Sequence, residues 1–159
     1  MNPLFELSVE RLIKAPPPVV WRAFIDHANE WFTPRPWTTP EVVYDLYPGG
    51  RADVMMQSPE GERHSYKGVV LEVDPERRLV TTGAFTAGWI PQADPMNFVR
   101  LDLFEAVEGG TRYQAIARHW DEKAMSTHKE MGFETGWGMA ADQLGEVAER
   151  LFHQLATEA

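Results

Sequence analysis

Two side chains on one stretch of the sequence carry groups that could do acid–base chemistry or orient a polar ligand. Tyr113, Ala115, Ala117 and His119 alternate, so in a strand they share one face. The two alanines leave room above that face, and Tyr113 and His119 set a phenol and an imidazole beside it. An imidazole titrates near neutrality, so His119 could serve as general acid or base, or hold a ligand carbonyl. The opposite face carries Gln114, Ile116, Arg118 and Trp120. The sequence leaves open which set turns inward. The competing reading of His119 is a merely hydrogen-bonded or surface histidine.

A second set is aromatic and thioether: Trp31, Trp37, Met55, Phe85, Trp89, Trp120, Met131 and Phe133. Six tryptophans in 159 residues is a high number, and several fall in predicted loops. Loop tryptophans can cap a pocket, and methionine adapts to varied apolar shapes. The expected ligand-binding residues are therefore Trp31, Trp37, Met55, Phe85, Trp89, Tyr113, His119, Met131 and Phe133. Trp31, Trp89 and Phe133 are expected to close the mouth. The alternative is that these rings simply fill core, the usual fate of large aromatics.

Other chemistries find little support. His119, Asp121, Glu122 and His128 cluster in sequence but match no compact motif such as H-E-x-x-H, and no metal is expected. Asp26, Glu41, Asp45, Asp53, Glu72 and Asp102 lie in or near predicted elements, and strand alternation puts most of them on the wet face. None forms an evident acid–base dyad, and the catalytic residues, if any, stay unassigned. Nucleophile elbows, P-loops and G-x-G-x-x-G patterns are missing, so no cofactor is expected.

Composition narrows the classes further. Apolar residues make up 43% and charged residues 25%, which is ordinary globular composition for one domain over 1–159. With no cysteine there are no disulfides and no thiol chemistry. The net charge of −9 repels phosphate backbones and anionic headgroups, so a nucleic-acid partner is not expected. The opening MNPLFELSVERLIKAP lacks the apolar stretch of a secretory leader, and no run is long enough to span a bilayer. The expectation is a cytoplasmic protein without membrane insertion.

The elements that must position these residues follow from periodicity. Phe5, Leu7, Val9 and Ile13 sit on odd positions of a first strand. Pro16, Pro17 and Pro18 end it and open a short helix with Val19, Val20, Ala23 and Phe24 on its apolar side. Residues 29–32 predict a second helical turn, and 33–40 a proline-rich loop. Strands are then expected at 41–47, 51–57, 63–73, 78–86, 97–107 and 111–120. Turn signals separate them at Pro48-Gly49-Gly50, Ser58-Pro59-Glu60-Gly61, Asp74-Pro75 and Glu108-Gly109-Gly110. Residues 87–96 predict a loop carrying Trp89, Pro91 and Pro95. Residues 121–134 predict a lid or short helix. From 135 to 156, Trp137, Ala141, Leu144, Ala148, Leu151 and Leu155 recur at helical spacing. Glu146 and Arg150 are set for an i,i+4 pair on that helix. Gly138 and Gly145 weaken it locally but permit close approach. The class is α+β, an antiparallel meander with one long helix. One helix cannot cover so many curved strands, which argues for a cavity.

Several motifs, in order, carry a resemblance: Ala15-Pro16 with Val20-Trp21, then Trp31, then Pro48-Gly49-Gly50. Next come Gly68-Val69-Val70-Leu71-Glu72-Val73-Asp74-Pro75, Arg78-Leu79-Val80, Gly109-Gly110-Thr111 and Gly136-Trp137. The series resembles the START-like (SRPBCC) superfamily, nearest the branch related to the C-terminal domain of the heat-shock chaperone ATPase activator. That resemblance implies a helix-grip fold: a curved antiparallel sheet of six to seven strands wrapped around a long C-terminal helix, with two short helices after strand 1. It also implies an internal pocket, but no shared catalytic residue. Trp21 and Trp137 read as core anchors of the helices.

The leading expectation is a module binding a small apolar or amphipathic molecule between sheet and helix. One alternative is a cyclase- or hydrolase-like enzyme using Tyr113 or His119. Another is a chaperone or protein-interaction module, weakened by the lack of the activator's additional N-terminal domain. A homodimer through an exposed sheet edge or helix stays open.

Overall fold

The computed structural model describes residues 4–94 and 96–158. Pro95, placed in the predicted loop 87–96, lies outside them. The first strand, β1 (Phe5–Ile13), buries Val9 and Ile13 as its alternation demands. Helix α1 (Pro17–Asp26) opens with proline in its first turn and buries Val19, Val20, Ala23 and Phe24. Helix α2 (Ala28–Trp31) is a single turn that buries Trp31.

Three strands make one small sheet in the order β2 (Thr38–Tyr44), β3 (Ala52–Gln57), β4 (Arg63–Tyr66). β2 begins inside the expected proline-rich loop. Pro40, which cannot donate to the ladder, sits where the β2–β3 register shifts between Thr38 and Glu41. The strand expected over 63–73 is in fact two, because the chain changes sheets at Lys67-Gly68. A Cβ on Gly68 would stand 2.4 Å from the Thr82 carbonyl oxygen, so only glycine fits that crossing.

The larger sheet has five strands in the order β1–β10–β9–β6–β5. It comprises β5 (Val69–Asp74), β6 (Arg78–Thr82), β9 (Phe98–Val107) and β10 (Gly110–His119) beside β1, all paired antiparallel. Between β6 and β9 a small hairpin, β7 (Phe85–Thr86) and β8 (Ile90–Pro91), takes the end of the strand expected over 78–86 and the first half of the stretch expected as loop. The Arg51–Val69 bridge and the Gly49–Val70 and Gly50–Val70 backbone bonds join the two larger sheets into one curved wall.

The lid or short helix expected at 121–134 is helix α3 (Glu122–Glu130), capped by the Asp121 carboxylate accepting from the Ala124 N–H at 2.8 Å. After Met131-Gly132 the chain enters α4 (Phe133–Glu158), two residues before the expected start. α4 lies across the concave side and packs on β1, α1 and α2. Its buried stripe runs from Phe133 to Leu151, and Leu155 is exposed. The expected Glu146–Arg150 pair does not form. Both side chains reach off the helix instead, Glu146 to Arg35 at 2.9 Å and Arg150 to Glu30 at 2.8 Å. Trp21 is only partly buried, its ring edge-on to Phe104 at 5.4 Å. Among the described residues no helix is long and apolar enough to cross a membrane.

Candidate functional site

On β9 the local pattern and the fold part company. Its apolar residues Val99, Leu101 and Leu103 face away from α4 and pack with Val80 and Ile116 on the convex side. The alternate set, Phe98, Arg100, Asp102 and Phe104, turns toward α4. An arginine and an aspartate therefore occupy core positions, where charge is costly unless paired. The expectation that the carboxylates lie mostly on the wet face fails at Asp102, whose side chain is 1% exposed.

Asp102 takes Arg100 side-on: Nε donates to Oδ2 at 2.9 Å and Nη2 to Oδ1 at 3.1 Å. Tyr113, from the neighbouring β10, donates its hydroxyl to Oδ1 at 2.7 Å. The guanidinium carbon lies 5.0 Å from the ring centroid of Phe32 and 4.4 Å from that of Trp137, so the cation is held between two aromatic groups. Burial works against the charge on Arg100, but Asp102, Tyr113 and Tyr44 outweigh it, and the group stays cationic. Burial, reinforced by the negative Asp102, raises both the Tyr44 and Tyr113 hydroxyls, so each keeps its proton.

Arg100 Nη1 and the Tyr44 hydroxyl have no hydrogen-bond partner among the described residues. The one buried side-chain nitrogen or oxygen left unpaired there is Nε of Arg78. Arg100 Nη1 and Tyr44 Oη thus open onto accessible space, consistent with the 16% exposure of the Arg100 side chain.

Beside this group stands a histidine pair. His119 Nδ1 donates to the Phe5 carbonyl at 2.9 Å, and its Nε2 lies 2.8 Å from Nδ1 of His128 on α3. In the neutral pair His119 Nε2 must accept, so His128 Nδ1 carries the hydrogen and His128 Nε2 is left as a free base. Phe98, Phe133 and Trp137 surround His128 at 5.1, 5.1 and 5.8 Å between ring centroids. Burial first, and then the neighbouring His119, push the His128 pKa down to about 4.

Of the expected site residues, Tyr113, His119 and Phe133 thus meet on the concave side. The set Tyr113, Ala115, Ala117, His119 is the inward one, all buried. Trp31 lies in the core rather than at a mouth, against Phe24 at 4.8 Å, with its indole N–H on the Phe24 carbonyl. Trp89 is exposed at the β7–β8 tip, beside Phe85 and over Gly49. Trp37 pairs with His64 at 5.7 Å, Met55 is half-buried on β3, and Trp120 and Met131 are exposed. Trp31, Trp37, Met55, Phe85, Trp89 and Met131 thus do not come together with Tyr113, His119 and Phe133, and neither does Trp120. Asp121 and Glu122 do not join the histidines, and among the described residues no three ligating side chains converge on a metal position. Sequence reasoning did not single out Arg100, Phe32, Phe98 and Tyr44. The signal was available in β9, where a charged pair alternates with two phenylalanines.

The centre of the sheet–helix interface is filled by Phe24, Trp31, Phe104, Tyr113 and Phe133. Two open clefts of about 280 Å³ lie elsewhere, one between α1–α2 and β2 and one between β1 and α4. On the concave side, the accessible guanidinium of Arg100 lies at one flank, against Trp137 in the first turns of α4.

The comparisons with known proteins agree on the fold. Protein NE0264 from Nitrosomonas europaea is 33% identical, with 91% of this chain and 94% of that one covered at a TM-score of 0.86. Protein Ms6760 from Mycobacterium smegmatis is 21% identical over 92% and 95%, with a TM-score of 0.75. An AHSA1-like protein from Aeromonas hydrophila is 19% identical over 92% and 93%, with a TM-score of 0.69. The last two show the fold alone. No curated protein matches the chain. The fold is one that commonly binds hydrophobic ligands. Since the model of the activator of Hsp90 ATPase homolog 1-like proteins matches residues 14–149, the chain belongs to that family, with its START-like architecture.

Proposed function

We propose that this protein binds a small apolar or amphipathic molecule on the concave side of the sheet, at the flank where Arg100 meets Phe32, Tyr44 and Trp137. One observation carries the reading: a guanidinium clasped between two rings keeps Nη1 without a hydrogen-bond partner among the described residues. Packing alone would favour an apolar residue there, since replacing a buried ion pair with hydrophobic groups is often neutral or stabilising. The partly buried rings of Phe32, Phe98 and Trp137 supply apolar contact for the rest of the molecule.

Native mass spectrometry of protein purified from cells, followed by denaturing extraction, tests this. The expected result is a reproducible bound small molecule that is lost in Arg100→Leu. Protein that arrives empty, and whose tryptophan fluorescence does not respond to a panel of apolar compounds, would end the reading.

A further inference from the structure

We infer that the ligand's polar end is an uncharged carbonyl oxygen, as in a ketone, ester or amide, and not a carboxylate. This rests on the binding reading above and names the chemistry of that same site.

The argument is one of charge and donor count. The positive charge of Arg100 is already balanced, side-on, by Asp102. An incoming carboxylate would have to give up its hydration next to a cation that is spoken for, with a buried anion directly behind it. A carbonyl oxygen loses far less hydration and brings no charge. Arg100 Nη1 and the Tyr44 hydroxyl are two donors without hydrogen-bond partners among the described residues. Arg100 Nη1 cannot accept, and the raised Tyr44 hydroxyl stays protonated. Tyr44 and Tyr113 both pack on Phe24, at 6.2 and 6.3 Å between ring centroids, which sets Tyr44 on the side of the sheet that carries Asp102 and Arg100. Two unpaired donors beside a charge-neutral pair fit an acceptor with two lone pairs and no net charge. The third hydroxyl, Tyr113, spends its hydrogen on Asp102 and so adds no further donor for a ligand.

The test uses three probes of one chain length, 2-nonanone, nonanoate and nonane, followed through the indole N–H signal of Trp137 in ¹⁵N-labelled full-length protein. Trp137→Phe assigns that signal. 2-Nonanone should shift it and bind about tenfold or more tighter than nonanoate at neutral pH. Tyr44→Phe should weaken 2-nonanone by about two- to tenfold and leave nonane unchanged. Since that hydroxyl has no hydrogen-bond partner among the described residues, the variant is expected to keep the fold. Asp102→Asn, which frees the charge of Arg100, should move the preference toward nonanoate. Should it fail to fold, the Tyr44→Phe comparison still decides. Nonanoate binding as tightly as 2-nonanone, or no effect of Tyr44→Phe, would overturn the inference. Nonane binding as well as 2-nonanone would overturn it while leaving the binding reading standing. If none of the three binds, the binding reading itself falls, and this inference with it.

Discussion

The Tyr113 hydroxyl donates to Asp102 Oδ1 at 2.7 Å, reaching diagonally across the β9–β10 pair, where Tyr113 lies opposite Phe104 and Asp102 opposite Ala115. That bond fixes the plane of the carboxylate. The carboxylate then fixes the plane of Arg100, which must lie flat enough for Phe32 and Trp137 to stack on it. A register shift of one residue would send all these groups to the convex face.

Breaking this pair from one side should be costly. Asp102→Ala leaves a buried guanidinium uncompensated and should lose about 3–5 kcal/mol in urea unfolding. The double variant Asp102→Ala, Arg100→Met removes the stranded charge and should recover most of that loss. A double variant no more stable than Asp102→Ala alone would show that the charge is not what the single change exposes.

His128 predicts a dependence on acid. Its pKa falls from 6.5 to about 4 in the fold, so the folded state resists a proton that the unfolded chain accepts. The stabilising contribution is complete above about pH 6.5 and is lost as the pH falls toward 4. From its neighbours His128 meets His119, Phe98, Phe133 and Trp137, and among the described residues no carboxylate is in hydrogen-bond contact to soften the loss. Discounted for partial exposure, the effect should be on the order of 1–2 kcal/mol. Urea midpoints of the wild type and His128→Gln should converge at acid pH; curves that run parallel from pH 7 to 4 would contradict this.

Gln143 holds α4 to the segment after α2. Its Nε2 donates to the carbonyls of Trp31 and Thr33, both at 2.9 Å, and its Oε1 accepts from the Arg35 N–H at 2.9 Å. Gln143→Ala strands three backbone groups and should cost about 2–3 kcal/mol. Hydrogen exchange should show the Arg35 amide losing protection first. Unchanged protection there would mean that another group holds the segment.

Two glycines separate backbone need from side-chain crowding. Gly110 has a φ of 147°, and a Cβ there would stand 2.0 Å from the Ile13 carbonyl oxygen, which belongs to a paired strand. Gly110→Ala should cost several kcal/mol or abolish folding, by analogy with overpacked cores that lose about 1–3 kcal/mol. A Cβ on Gly138 would meet only the far end of Arg11, at 2.8 Å. Gly138→Ala also gains about 1 kcal/mol of helix propensity and should end near neutral in thermal melts. Equal losses at both positions would refute the distinction.

The α+β class, the antiparallel strands, the two short helices and the long C-terminal helix were legible because periodicity and turn chemistry are local. Alternation marked β1, proline opened α1, glycine pairs closed the turns, and a stripe from Trp137 to Leu155 drew α4, although Leu155 itself is exposed. The change of sheet at Gly68 was not legible, because it depends on how closely the Thr82 carbonyl approaches from another strand. Nor was the direction of β9. By its apolar alternation, Val99, Leu101 and Leu103 read as the inward set, yet a second apolar cluster on the convex side claims them. Which face of a strand turns inward is a property of the whole sheet, since its neighbours' registers fix it together. For the site, the sequence by itself supplied Tyr113, His119 and Phe133. Only the tertiary structure set Arg100 on Asp102 and between Phe32 and Trp137, because those contacts join β9 to α4 and to the turn after α2. No local pattern encodes that distance.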